Sequence, residues 1–253
     1  MSAVINVKNV CLTLNGIEIH RNINLSVERN DVLAIVGGSG AGKTLLLREI
    51  LGLQPIDSGY IHVFDADMTH PFSEKAIAAK KRWGVVFQQN ALFSSMTILE
   101  NTAFPLREYT TLNEKAIKEK ALSMIALVGL SERVAYQYPS ELSGGMQKRA
   151  AVARAIVLNP ELLFLDEATA GLDPESSGAL DDLVIQLQNK IGMTVVMVTH
   201  DVETLYCVPN RIAFLGDKTL LCCGDIETVA SHPHPSIQHF FHGARGKKHG
   251  DNR

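Results

Sequence analysis

Eight residues, Gly37-Gly38-Ser39-Gly40-Ala41-Gly42-Lys43-Thr44, follow the pattern GxxxxGK[ST]. They lie between an apolar run, Val32 to Val36, and a segment with Leu45, Leu46, Leu47, Ile50 and Leu51 at helical spacing. The chemistry this arrangement suits is the holding of phosphate. Glycines let successive amide N–H groups curl around phosphate oxygens, a helix N-terminus adds positive potential, and Lys43 neutralises the β- and γ-phosphates. Thr44 offers a hydroxyl to Mg²⁺. Further on, Leu162-Leu163-Phe164-Leu165-Asp166-Glu167 puts two carboxylates at the end of a wholly apolar stretch, where an ion without a partner is expensive. Asp166 is expected to hold Mg²⁺ through water, and Glu167 to polarise an attacking water.

Two more groups are open to either of two readings. Glu141-Leu142-Ser143-Gly144-Gly145-Met146-Gln147 is a second glycine turn at a helix start, which offers its amides and Ser143 to another anion or is an ordinary capped turn. His200 follows the apolar run Val195 to Val198, where a lone histidine is more often a satisfied structural residue than a catalytic one.

Such groups need a rigid frame. Val32 to Val36, Leu162 to Leu165 and Thr194 to Val198 are short apolar runs alternating with helical segments, the pattern of a parallel sheet covered on both faces. Asp173-Pro174 supplies an N-cap and a first-turn proline to the helix between the last two runs. Ahead of the phosphate loop, alternation over Ile5 to Val10 and Ile23 to Val27 around Asn15-Gly16 signals an antiparallel β-region. From about Ser94 to Asn159 the spacing turns helical, most strongly over Lys115 to Leu127 and Met146 to Leu158. A helical subdomain over about 90–160 is thus inserted in a single domain spanning 1–242. Ile212 to Leu215 and Thr219 to Cys222 form a late hairpin, Ile226 to Ala230 begins a short helix, and 243–253 reads as a flexible basic tail.

Composition narrows the function classes. The 253 residues suit one large domain, and 46% hydrophobic with 20% charged residues argues against disorder. A net charge of −3 leaves no basic excess of the kind that drives nonspecific nucleic-acid binding. The apolar runs fall far short of the ~20 residues that span a bilayer. The opening MSAVINVKNV has no secretion-signal pattern, so a cytoplasmic chain is expected. Cys11, Cys207, Cys222 and Cys223 lack CxxC spacing, and adjacent Cys222 and Cys223 are poor disulfide partners, so reduced thiols are expected and zinc is not. His232, His234, His239 and His242 likewise lack the spacing of a metal site.

Over nearly its whole length the chain resembles the ATP-binding cassette (ABC) superfamily. LSGGMQ, placed ahead of Asp166, is similar to the signature sequence, Gln88 in VFQQ to the Q-loop glutamine, Gly171-Leu172-Asp173 to the D-loop and Thr199-His200-Asp201 to the switch-histidine segment. The resemblance implies an α/β fold, the P-loop NTPase fold of ABC ATPases, with a RecA-like parallel-sheet core, an N-terminal antiparallel β-region and an inserted helical subdomain. It implies an ATPase using ATP and Mg²⁺, in which Gln88 and His200 join Glu167 and Lys43 in catalysis and Gln88 joins Thr44 and Asp166 at the metal. It also implies a head-to-tail homodimer: Ser143, Gly144 and Gly145, with Gln147 beside them, face the ATP held by the other copy, and Asp173 bridges the two sites.

Three positions depart from the family pattern. Leu14 stands where an aromatic residue commonly stacks on adenine, Leu45 where a second hydroxyl follows Thr44, and Ala168 where proline often follows the glutamate. Apolar contact from Leu14 then replaces stacking, and Leu45 offers no phosphate hydrogen bond, so weaker base selectivity and affinity are expected while catalysis survives. In the family, the segment after Gln88 receives the cytoplasmic helix of a permease. Here Leu92, Phe93 and Met96 either line that groove or pack the subdomain core.

Closer still, GVVFQQNALFSSMTILENTAFPLREYTTL, PSELSGGMQKRAAVARAI and His234 to Phe240 are similar to the ATPase subunits of Mla-type phospholipid transporters. That resemblance implies phospholipid transport tied to outer-membrane lipid asymmetry. Its implied partners are an integral membrane permease, an MCE-domain lipid-binding protein and a STAS-domain protein, and its implied place is the cytoplasmic face of the inner membrane. A motor for import of amino acids or another small solute stays open. So does a soluble cassette ATPase, although a single cassette without basic excess speaks against nucleic-acid work. Arg245, Lys247, Lys248 and Arg253 touch anionic headgroups or form a solvated tail.

Overall fold

The computed structural model describes residues 3–243, so Arg245 to Arg253 lie outside the described residues. Within these residues the chain forms two compact units, 3–79 with 196–243, and Lys80–Val195.

In the first unit, β1 (Ile5–Leu14) and β2 (Ile17–Val27) form an antiparallel hairpin. Its turn residues Asn15 and Gly16 have φ of 53° and 78°, the conformation that suits two-residue hairpin turns. β3 (Val32–Gly37) is buried at all six residues and leads through the phosphate loop into α1 (Lys43–Ile50). β4 (Ser58–Val63) pairs antiparallel with β1, β5 (Ala66–Asp67) pairs with β4, and α2 (Glu74–Lys80) runs up to the second unit.

The second unit opens with β6 (Trp83–Val86) and then turns helical: α3 (Ile98–Tyr109), α4 (Glu114–Leu127), α5 (Glu132–Ala135), a 3₁₀ turn at Pro139–Glu141 and α6 (Gly144–Ile156). Each long helix has a start written in its sequence. Thr97 and Glu100 form a capping box for α3, and Asn113 and Ser143 cap α4 and α6 through their side chains. Ala103, Leu106, Ile117, Ala121 and Val157 close a small core between these helices. β7 (Leu162–Asp166) is wholly buried and lies parallel to β6, with Trp83 opposite Leu162 and Val86 opposite Leu165. α7 (Pro174–Ile191) follows, with Asp173 as N-cap and Gly192 as left-handed C-cap.

The chain returns to the first unit within β8 (Thr194–Val198). α8 (Val202–Cys207) leads to β9 (Arg211–Gly216), which lies parallel to β3 and turns back as β10 (Thr219–Gly224). α9 (Ile226–Ala230) and α10 (Pro235–His242) end the described chain.

The expected α/β fold is found, with parallel pairs β3/β9 and β6/β7, an antiparallel N-terminal region and helices between β6 and β7. Local bounds differ from the sequence reading. β1 and β2 run on to the turn because hairpin pairing recruits residues that do not alternate. α6 starts at Gly144 rather than Met146 because Ser143 caps it. β4, β6, α2, α8 and α10 carry no periodicity strong enough to read, being four to eight residues long.

Gly84 marks how closely β6 and α6 approach: a Cβ there would lie 2.1 Å from the carbonyl oxygen of Ala155. Gly84→Ala is therefore expected to destabilise the protein by about 1–3 kcal/mol through overpacking. Urea unfolding would read this as a lower midpoint at constant slope; an unmoved midpoint would mean that α6 yields at no cost.

Candidate functional site

In the first unit, burial of β3 along its whole length fixes where the phosphate loop starts. The loop ends at Gly42, the N-cap of α1, whose φ of 88° and ψ of 6° lie in the left-handed region open to glycine. No side chain caps this helix start and no acidic residue stands in its first turn, so neither a competing acceptor nor a negative charge opposes an anion there. Lys43 Nζ donates to the carbonyls of Gly37 at 3.0 Å and Gly38 at 2.9 Å, which holds the ammonium inside the loop. Gly38, Ser39 and Gly40 are exposed, and with Ala41 they border an open cavity of about 510 Å³.

Ile17 and Ile19 of β2 line that cavity, together with the apolar residues Ala41 and Leu215. Leu14, the residue singled out from the sequence, is half-buried at the end of β1 and does not line it, and Leu45 is half-buried on α1. Sequence reasoning missed both isoleucines because in a hairpin they read only as strand formers. His200 is exposed between β8 and α8, and the adjacent Asp201 caps α8 by accepting from Glu203 N at 3.0 Å.

The second unit holds Gln88, the glycine turn, Asp166, Glu167 and Asp173. Asp166 is buried at the end of β7. Glu167 follows at φ 47°, a strained value for a residue that is not glycine. Gln88 Nε2 donates to Glu167 Oε2 at 2.8 Å, so these two sequence-predicted groups do meet. Behind them stands Lys148 of α6, which is 4% exposed and donates from Nζ to the carbonyl of Gln88. Burial pushes its amine below the usual lysine range, while the charges of Asp166 and Glu167 pull it back up.

Arg154, a turn and a half further along α6, donates to the carbonyls of Asn90 and Ala91. Gln147 Nε2 donates to Pro139 O at 3.0 Å and Leu142 O at 3.2 Å, while its Oε1 accepts from Asn90 Nδ2. α6 thus grips the backbone of residues 88–91 as well as presenting the glycine turn. Lys148 and Arg154 escaped the sequence reading. The signal for them was three cationic residues, Lys148, Arg149 and Arg154, in a helix whose other buried positions are apolar.

At the N-terminus of α6, Ser143 and Gly144 are exposed and no acidic residue occupies the first turn. Asp173 is also exposed. Its oxygens accept from Ser176 N at 2.9 Å and Ser176 Oγ at 2.6 Å, which holds the carboxyl below its usual range. In the loop after Gln88, Phe93 is exposed and packs at 5.0 Å, ring to ring, on Phe104. Asn101, wholly buried, fixes the loop's backbone through Phe93 N and the carbonyls of Phe93, Met96 and Thr97.

A phosphate loop between a buried strand and a helix, an Asp–Glu pair closing another buried strand and a serine-capped glycine turn define an ATPase of the ATP-binding cassette type. The chain belongs to the ABC transporter family, whose profile matches residues 20–170. Over 243 residues it is 36% identical to a methionine import ATP-binding protein of Lacticaseibacillus paracasei, covering 94% of this chain and 69% of that protein. Over 241 residues it is 37% identical to the intermembrane phospholipid transport system ATP-binding protein of Escherichia coli, covering 95% of this chain and 89% of that one. A solved cassette, MJ0796, in a dimeric post-hydrolysis state bound to ADP and Pi, superposes with a TM-score of 0.80 at 29% identity, covering 88% of this chain and 98% of that one. Among the described residues no helix is long and apolar enough to cross a membrane.

If Lys148 sets the position of Gln88, Lys148→Met will leave nucleotide affinity within about twofold and lower ATP turnover about tenfold. Steady-state hydrolysis beside a fluorescent-nucleotide titration measures both; unchanged turnover would reduce Lys148 to a packing role.

Proposed function

We propose that the chain is the motor subunit of a phospholipid transporter, acting as a head-to-tail homodimer beneath an integral membrane permease. An MCE-domain lipid-binding protein and a STAS-domain protein would complete the assembly. The observation that supports the cargo is the 37% identity, over 241 residues and 95% of this chain, to the E. coli intermembrane phospholipid transport ATP-binding protein. The second reading, a motor for solute import, is favoured by the 36% identity to the methionine protein.

In this reading the loop Gly37 to Thr44 cradles the phosphates and Lys43 neutralises them. Glu167 orients the attacking water and takes its proton on Oε1, while Oε2 keeps the hydrogen bond from Gln88 that holds the carboxylate in place. His200 donates to the γ-phosphate. Ser143, Gly144 and Gly145 of the second copy offer hydroxyl and amide donors to the same group, and Asp173 bridges the two sites. The hydroxyl of Thr44, the carboxylate of Asp166 and the amide oxygen of Gln88 are hard oxygen donors of the kind Mg²⁺ takes. When bound, Mg²⁺ would supply charge neutralisation at the phosphates. Base contact falls to aliphatic side chains, so discrimination among nucleobases should be shallow.

Glu167→Gln is expected to bind ATP as the unaltered protein does while losing turnover by about 10²–10⁴. It should elute as a dimer on size exclusion in Mg-ATP. Recovered from native membranes in mild detergent, it should carry a permease with bound phospholipid. A permease paired with a solute-binding protein would select the second reading, and undiminished turnover would remove Glu167 from the role of orienting the water.

A further inference from the structure

Beneath the phosphate loop lies an ionisable pair that takes no part in the chemistry assigned to Glu167 and its neighbours. His20 of β2 and Glu49 of α1 have side chains with no exposed surface, and His20 Nδ1 stands 2.9 Å from Glu49 Oε1. The Nδ1 edge of the ring makes this hydrogen bond, so the other ring nitrogen, Nε2, is turned away from Glu49. Among the described residues neither Nε2 nor Glu49 Oε2 has a hydrogen-bond partner.

The free edge of the ring faces the loop. A Cβ placed on Gly42 would meet His20 Nε2 at 2.3 Å and His20 Cδ2 at 3.0 Å, so the imidazole is in packing contact with the residue that ends the phosphate loop and caps α1. Gly42 has no side chain of its own and α1 has no side-chain cap, so the ring of His20 is what packs against this helix start where a capping side chain would otherwise stand. The carboxylate that fixes the ring is carried by the last turn of the same helix, since helical side chains point back towards the N-terminus. One imidazole therefore ties the start of α1 to its end.

We propose that His20, held by Glu49, is a positioning residue for nucleotide binding: it braces Gly42 and so sets the geometry in which the phosphate loop receives an anion. A buried polar pair is an expensive way to fill space, because apolar residues of similar size fill it as well without the desolvation. Placing such a pair against the anion-binding loop has a consequence that packing alone lacks, since the hydrogen bond fixes the angle of the ring as well as its volume.

The proposal rests on the nucleotide-binding reading of the loop, and its test separates the two. ADP affinity and thermal midpoint are measured for the unaltered protein, for Glu49→Gln and for the double variant His20→Leu/Glu49→Met, which leaves no buried charge unpaired. The double variant is expected to keep its thermal midpoint within a few degrees yet bind ADP about tenfold more weakly. Glu49→Gln, whose side-chain amide can accept from or donate to Nδ1, is expected to bind within about threefold of the unaltered protein. A double variant with undiminished affinity would overturn the proposal, leaving the pair as packing. A Glu49→Gln variant as weak as the double one would also overturn it, because the hydrogen bond would then not be what matters. Failure of the unaltered protein to bind ADP would instead overturn the nucleotide reading itself.

Discussion

Strands buried along their whole length cannot shift sideways, and this immobility governs both ends of the chemistry in this chain. β3 and β7 are buried at every residue, and where each stops the backbone leaves the ordinary regions of conformational space. After β3 the departure is taken by glycine, ending at Gly42 with φ 88°. After β7 it falls on Glu167 itself, at φ 47°, a conformation that costs of the order of 1–3 kcal/mol for such a residue. It persists because Asp166 is anchored in the strand before it and Gln88 holds its carboxylate. The direction of the carboxylate is thus set by the backbone and by one hydrogen bond rather than by free choice among rotamers.

α6 adds a second constraint. Its first turn is the serine-capped glycine segment, and its body grips residues 88–91 through Gln147, Lys148 and Arg154. A helix of 13 residues is about 20 Å long and moves as a rod. Whatever displaces its N-terminus displaces the carbonyl of Gln88, and with it the hydrogen bond to Glu167. The lowered affinity of Lys148 for its proton is the electrostatic trace of this arrangement, a cation drawn out of water to hold a backbone group beside two acids.

Much of this was legible in the sequence for a physical reason: buried parallel strands are continuous apolar runs, and helix starts are written in capping residues. Val32 to Val36, Leu162 to Leu165, Asp173-Pro174 and the glycine loop needed only those two rules. Short elements such as β4 and β6 were not legible, because their residues are chosen by neighbours distant in the chain. The same holds for the braces of the site. His20 and Glu49 are far apart in sequence, each unremarkable on its own element, and only folding shows that one needs the other. Ile17 and Ile19 satisfy hairpin propensity and cavity lining at once, so the pattern reports the first and hides the second.

Asn101 illustrates what such bracing leaves for a partner. Its amide spends its hydrogen bonds on the backbone of Phe93, Met96 and Thr97, so the loop that carries the exposed Phe93 is ordered before anything touches it. A helix docking on that loop meets a preformed surface, and no entropy of ordering on this side is subtracted from the binding free energy. Encounter then proceeds without a slow rearrangement step, which places discrimination between partners in how long the complex lasts.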